Sequence, residues 1–288
     1  MKNMPKQNFL FMCLILLIFS CSKPKDKVLF SSSRNGNSDI FVMDGNGKNI
    51  RPLTESSFEE WGPTWISENQ ISFLRQTKDS ILRIEMDLTT RYELTPKHPS
   101  NCTLDDKNML YSGKFEAYTC KKDIFIIDST KRDTLNITST LDGTANYPSW
   151  GHDGQNILFT SNHSGSNEIY MFALESKELS QLTNSESNNE RGDLSPDGTF
   201  LVFSSDYFEK GNQDIVLKDL ESGTLKNISE SSGMELIARF SNDGTQIFYG
   251  SNQDGNWEIY LYNLKNETHT RLTTNKAFDG DPRILNIK

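Results

Sequence analysis

The stretch SNQDGNWEIYLYNL, residues 251–264, has a near copy ninety residues earlier in SNHSGSNEIYMFAL, residues 161–174. Relaxed to a turn, an acid and an apolar run, the phrase returns in SRNGNSDIFVMD from Ser33, CKKDIFIIDS from Cys120 and KGNQDIVLKDL from Lys210. A degraded copy, KDSILRIEMDL, begins at Lys78. A second phrase follows each copy and ends in Thr54, Thr95, Thr138, Thr183, Ser229 and Thr273, so successive copies stand between 41 and 46 residues apart. A period in the forties is the mark of a repeat architecture.

Inside each unit the apolar runs are short and rich in Ile, Val, Phe and Tyr, as in NILFTS from Asn156 and DIFII from Asp123. That length and composition specify strands. Between them stand the pairs Asp153-Gly154, Asp197-Gly198, Asp243-Gly244 and Asp254-Gly255, where glycine supplies the positive φ that closes a hairpin. No stretch after residue 26 carries a helical stripe. The expected fold is all-β: six blades, each a meander of four antiparallel strands, arranged as a β-propeller.

The segment PSWGHDGQNILFTSNHSGSNEIYMFALESKELSQLT, from Pro148 to Thr183, resembles the blade motif of TolB-like propellers, a WD40-like family. LSPDGTFLVFSSD from Leu194 and FSNDGTQIFYGSN from Phe240 repeat it. The resemblance covers essentially residues 27–288 and implies the fold; function lives in sites that the fold merely carries. TolB, after which the family is named, carries a separate α/β domain before its propeller, whereas here Lys27 already begins a strand, so the resemblance is to the propeller part.

In this motif the innermost strand bears the Pro and Trp, as in WGPTWIS from Trp61 and NYPSWGH from Asn146, and the first unit at Lys27 lacks it. AFDGDPRILNIK, from Ala277, has the right spacing to supply that strand from the C-terminus. The ring would then close with no orphan sheet edge, as a monomeric propeller.

The chain of 288 residues carries a net charge of −9, and no Lys/Arg-rich run interrupts its acidic balance. That argues against nucleic acid and against anionic lipid surfaces. Lys2 and Lys6 precede FLFMCLILLIFS, an apolar run from Phe9 to Ser20 of signal-peptide length. It ends in Ile18-Phe19-Ser20-Cys21, which resembles a bacterial lipobox in which Cys21 receives the lipid. Cleavage by the ordinary signal peptidase, or an uncleaved strand, is the alternative. The expected organisation is a lipoprotein signal peptide over 1–20, a short tether over 21–26 and the propeller over 27–288. The protein would be exported and anchored by its lipid, at the periplasmic or the cell-surface side of the outer membrane.

Cys102 and Cys120 both fall in the third unit, with Cys102 expected on its inner strand. An exported compartment permits a disulfide between them, and two free thiols are the alternative. No Gly-x-Ser-x-Gly, His-Glu-x-x-His or Cys-x-x-Cys motif occurs. The acids before Ile, at Asp39, Asp123, Glu168, Asp214 and Glu258, recur too regularly to be active sites and read as a structural device of the repeat.

Aligned on Trp65, Trp150, Leu194, Phe240 and Ile284, the inner strands bring Glu59, Glu60, Glu190, Glu235, Asp279 and Asp281 to their starts, at one mouth of the central channel. Arg191 and His98 would stand at the same rim. The plain reading is solvated loop carboxylates; the sharper one is a site for a hard cation such as Ca²⁺, or for a basic group on a partner. The expected function is a protein- or glycan-binding module of the cell envelope rather than an enzyme. The alternative is a metal-dependent propeller lyase or hydrolase acting on sugars or lactones at the channel mouth.

Overall fold

The computed structural model describes residues 26–96, 102, 110–131 and 133–286, and all that follows concerns these residues. The leader, Cys21 and His98 lie outside them. Among the described residues there is no helix, and twenty-four strands form six antiparallel sheets of four strands each.

Blade 1 consists of β1 (Lys27–Ser32), β2 (Asp39–Asp44) and β3 (Arg51–Pro52). Blade 2 follows with β4 (Glu59–Ser67), β5 (Gln70–Gln76), β6 (Ile81–Asp87) and β7 (Glu93–Leu94). Blade 3 holds β8 (Leu110–Ser112), β9 (Phe115–Cys120), β10 (Asp123–Asp128) and β11 (Asp133–Asn136). Blade 4 holds β12 (Ala145–Trp150), β13 (Asn156–Ser161), β14 (Glu168–Ala173) and β15 (Leu179–Gln181). Blade 5 runs through β16 (Asn189–Leu194), β17 (Phe200–Ser205), β18 (Asp214–Asp219) and β19 (Leu225–Asn227). Blade 6 runs through β20 (Glu235–Phe240), β21 (Gln246–Ser251), β22 (Glu258–Asn263) and β23 (Thr268–Arg271).

The last strand, β24 (Asp279–Ile284), pairs antiparallel with β1 and becomes the inner strand of blade 1. It also lies beside β20 and β4, so the ring closes through the C-terminal strand as the spacing predicted. The third unit differs from expectation in one detail. Its inner strand is Leu110–Ser112, and Cys102 lies before it outside any strand.

The core is distributed between neighbouring blades. Phe30 and Phe41 of blade 1 pack with Phe248 and Ile259 of blade 6, and Leu158 and Ile169 of blade 4 pack with Leu201 and Phe203 of blade 5. Stacked sheet faces of β-branched and aromatic residues bury these side chains almost completely, which is what holds radially arranged blades together. Between blades 2 and 3 a polar contact also forms. Tyr111 of blade 3 donates to Glu85 Oε1 of blade 2 at 2.9 Å, near the buried Arg83 that reaches Ser72 Oγ within blade 2 at 3.3 Å.

The two sequence phrases now acquire physical roles. The hydroxyl that ends the second phrase accepts the backbone N–H of the Ile after the acid: Thr54 from Ile40, Thr138 from Ile124, Thr183 from Ile169, Ser229 from Ile215 and Thr273 from Ile259. All five distances fall between 2.8 and 3.0 Å. Each bond ties the third strand of a blade to the segment leaving the fourth, where that N–H would otherwise be buried unpaired. In the degraded copy Ile81 stands where the others have an acid, as the register of Gln76 opposite Ile81 shows against Ser32 opposite Asp39.

Candidate functional site

The inner strands all run the same way, from a front face to a rear face. Five of them carry a residue in the left-handed region at the same register: Gly62, Tyr147, Arg191, Ile237 and Asp281, with φ between 53° and 61°. Pairing with the second strand shifts register at each of these places. A repeated β-bulge therefore re-aims the side chains along the channel. Left-handed backbone is unfavourable for a β-branched residue such as Ile237, so the ring of bulges is held by the surrounding sheets.

This bulge splits the predicted acidic mouth into three groups. Glu60, Glu235 and Asp279, each two residues before the left-handed position of its strand, are fully buried. Each turns into a blade interface and meets the acid of the preceding blade: Glu60 faces Asp39, Glu235 faces Asp214, and Asp279 faces Glu258. Ser56 joins the first pair, donating its N–H to Asp39 and its hydroxyl to Glu60 Oε1 at 2.9 Å. In blade 5 the equivalent position is Asn189, which donates to Glu168 Oε2 at 2.7 Å. Glu59 and Glu190 remain at the rim, where they accept from Ser38 N and Asn167 Nδ2 at 2.9 and 2.8 Å. Asp281 lies in the channel wall within reach of the Arg239 charge.

The expectation of acids converging on one mouth is thus corrected. The strand starts do share a face, but the pleat before the bulge points alternate residues into the blade interfaces. Among the described residues no three His, Cys, Asp or Glu side chains come together in a way that could hold a metal ion. One oxygen of each of Glu60, Glu235 and Asp279 accepts from internal donors, while the other is buried without a hydrogen-bond partner among the described residues. Cys102 and Cys120 are joined by a disulfide, with Cα atoms 4.9 Å apart.

The front face also exposes apolar side chains. Met234 and Phe278 immediately precede β20 and β24, Phe58 precedes β4, and Tyr207 and Phe208 lie in the loop between β17 and β18. Their exposures run from 38 % for Phe278 to 49 % for Tyr207. These side chains span blades 5, 6, 1 and 2 at one end of the ring. The repeat positions them: Asn37 Nδ2 donates to Phe58 O at 2.6 Å and Asn256 Nδ2 to Ala277 O at 2.8 Å, so the hairpin tip of each blade holds the approach to the next inner strand. Tyr207 and Phe208 meet edge to face, with ring centroids 5.2 Å apart.

At the rear face the inner strands of all six blades line a cavity of about 310 Å³. Its aromatic walls include Trp65, Trp150 and Phe240, and its charged groups include Asp193, Arg239 and Arg283. Asp193 accepts the Phe240 N–H at 2.9 Å. Nearby, the Arg191 guanidinium lies 3.8 Å from the ring centroid of Tyr147, a cation–π contact between blades 4 and 5. Sequence reasoning placed Arg191 at the front rim and missed Arg239 and Arg283. The signal was present: Thr64, Ser149, Asp193, Arg239 and Arg283 each stand one residue before the aligned Trp or its equivalent.

The chain was compared with known proteins. Residues 115–207 match the family model described as TolB beta propeller domain, and residues 195–286 match that of the dipeptidyl peptidase IV N-terminal region. A protein TolB homolog of Chlorobium luteolum is 30% identical over an alignment covering 38% of this chain and 35% of the relative. The Tol-Pal system protein TolB of Helicobacter pylori is 32% identical over 66 residues, 23% of this chain and 16% of the relative. The chain thus spans about a third or less of the length of these curated relatives. Among solved structures, TolB from Acinetobacter baumannii superposes with a TM-score of 0.75 at 17% identity, covering 90% of this chain and 66% of that one. The putative TolB from Agrobacterium tumefaciens gives 0.66 at 16% identity, covering 89% and 90%. Blade number and ring closure make the chain a six-bladed β-propeller, and its blades are similar in motif to those of TolB.

Proposed function

We propose that this propeller is an exported, lipid-anchored module that binds a protein of the bacterial cell envelope on its front face. The observation that carries this reading is the group of exposed apolar side chains, Phe58, Tyr207, Phe208, Met234 and Phe278, at one end of the ring. Large apolar groups gathered on one face of a soluble fold mark an interaction surface, and aromatic anchors dominate protein interfaces. The name of the Helicobacter pylori relative assigns that protein to the Tol-Pal system, which supports an envelope partner here. The sequence Ile18-Phe19-Ser20-Cys21 after a basic, apolar leader supports lipidation at Cys21.

The test is photo-crosslinking in intact cells from positions 58 and 278, followed by mass spectrometry. One envelope protein should be captured, and Phe278→Ser should abolish that capture without lowering the melting temperature. Capture that is unchanged by Phe278→Ser, or confined to glycan, contradicts the reading. Cys21→Ser should move the protein from the membrane fraction to the soluble fraction or leave an unprocessed precursor.

A further inference from the structure

The rear cavity is lined by two arginines, Arg239 and Arg283, and two carboxylates, Glu68 and Asp193. Arg239 makes two hydrogen bonds among the described residues, both from Nη1 to backbone carbonyls: Arg191 O at 3.1 Å and Ala238 O at 2.6 Å. No described carboxylate pairs with it within ion-pair distance. Among the cavity-lining side chains, Trp150 Nε1 is a buried donor without a hydrogen-bond partner among the described residues. Asp193, one of the two carboxylates lining the same space, accepts the Phe240 N–H through Oδ2 and acts on the Arg239 charge without an ion-pair contact. Buried donors are nearly always satisfied, so Trp150 Nε1 and an Arg239 guanidinium that donates only through Nη1 indicate an acceptor that comes from outside.

Electrostatics agree. Burial and the charges of Arg283 and Arg191 pull the Arg239 guanidinium down to about 9, against the opposing pull of Asp193 and Asp281. An anion beside Arg239 would relieve that field, and a guanidinium fork matches the two oxygens of a carboxylate or phosphate. At about 310 Å³ the cavity has the size of a small-molecule site, and the indoles of Trp65 and Trp150 give it apolar walls.

We infer that the rear end of the channel binds a small organic anion, whose carboxylate or phosphate is held by Arg239 and Arg283 while its apolar part lies against Trp65 and Trp150. This site is independent of the front-face docking surface, at the opposite end of the inner strands.

Calorimetric titration of the full-length protein with benzoate, phenyl phosphate and inorganic phosphate tests it, with neutral benzamide as the control. Benzoate or phenyl phosphate should bind, and benzamide should bind at least about tenfold more weakly because it lacks the charge. Preference for benzoate assigns a carboxylate, and preference for phenyl phosphate assigns a phosphate. Arg239→Gln should weaken the anion about tenfold, Arg239→Lys should recover part of that loss, and Phe278→Ser should leave it unchanged. Should Arg239→Gln fail to fold, Arg283→Gln provides the same reading. Equal binding of benzamide and benzoate, no binding of either aromatic anion, or undiminished binding in the Gln variants would overturn the proposal.

Discussion

Blades 5 and 6 meet by burying Asp214 against Glu235, whereas blades 6 and 1 meet by burying Glu258 against Asp279. The register is the same and the chemistry differs. At the second interface Arg271 donates to Glu258 at 2.9 Å and Arg34 to Asp279 at 2.7 Å. At the first, Asp214 accepts from Asn227 and Ser229, and Glu235 from Ser231 and Ser251; no Lys or Arg forms an ion pair with either among the described residues. Burial raises Asp214 and Glu235 above the usual carboxylate range, and each donor only partly offsets it. Burial also raises Asp279, with Ser32 and Arg34 pulling the other way. One structural position thus meets arginine at one interface and only neutral donors at the other. A buried carboxylate needs a partner or a proton, and the two interfaces supply the partner differently.

The largest test removes one interface outright. Deleting residues 277–288 strips β24 from β1 and unpairs that ladder, while leaving Asp214 and Glu235 untouched. The cost should approach the whole 5–15 kcal/mol of a domain's stability, roughly, so cooperative thermal unfolding should disappear. A truncated protein that melts as the full chain does would show that the ring closes elsewhere.

Next in size is Arg34→Met, which takes the cation from Asp279 and makes the second interface resemble the first. The loss should be about 3 kcal/mol at pH 8, the scale for removing one partner of a buried ion pair. It should shrink at pH 5, where the carboxyl can take a proton; equal losses by urea denaturation at both pH values would contradict this.

The smallest effect has the opposite sign. Because Glu235 has a raised value in the folded state, its favourable contribution is complete below the unfolded pKa and is lost as pH rises through the folded one. Glu235→Gln should therefore stabilise the protein at pH 8, by on the order of 1 kcal/mol, and leave it unchanged or slightly weaker near pH 4. A melting temperature lowered equally at both pH values would count against a retained proton.

The fold was legible because each blade restates its instructions. The Asp-Gly turns, the Thr or Ser that clamps the Ile after the acid, and the aligned Trp65 and Trp150 give strand order, blade number and closure without long-range information. The site was less legible because one bulge decides which side chains enter the channel. Before it, alternation sends Glu60, Glu235 and Asp279 into the interfaces; after it, Arg239 and Arg283 line the rear cavity. The left-handed residue at the bulge is Gly62 in one blade but Tyr147, Arg191, Ile237 and Asp281 in the others, so residue type alone does not announce it. The apolar front face was hidden for a related reason, since Phe58, Met234 and Phe278 sit singly beside acids that draw more notice in a sequence.

The most direct measurement is an NMR titration of the side-chain carboxyl carbons, with and without millimolar Ca²⁺. If the inner-strand acids belong to the blade interfaces, Glu235 and Asp279 titrate above the usual carboxylate range and their resonances do not move when Ca²⁺ is added. Ordinary titration with resonances that shift together on Ca²⁺ addition would return these carboxylates to an open channel mouth and contradict the account.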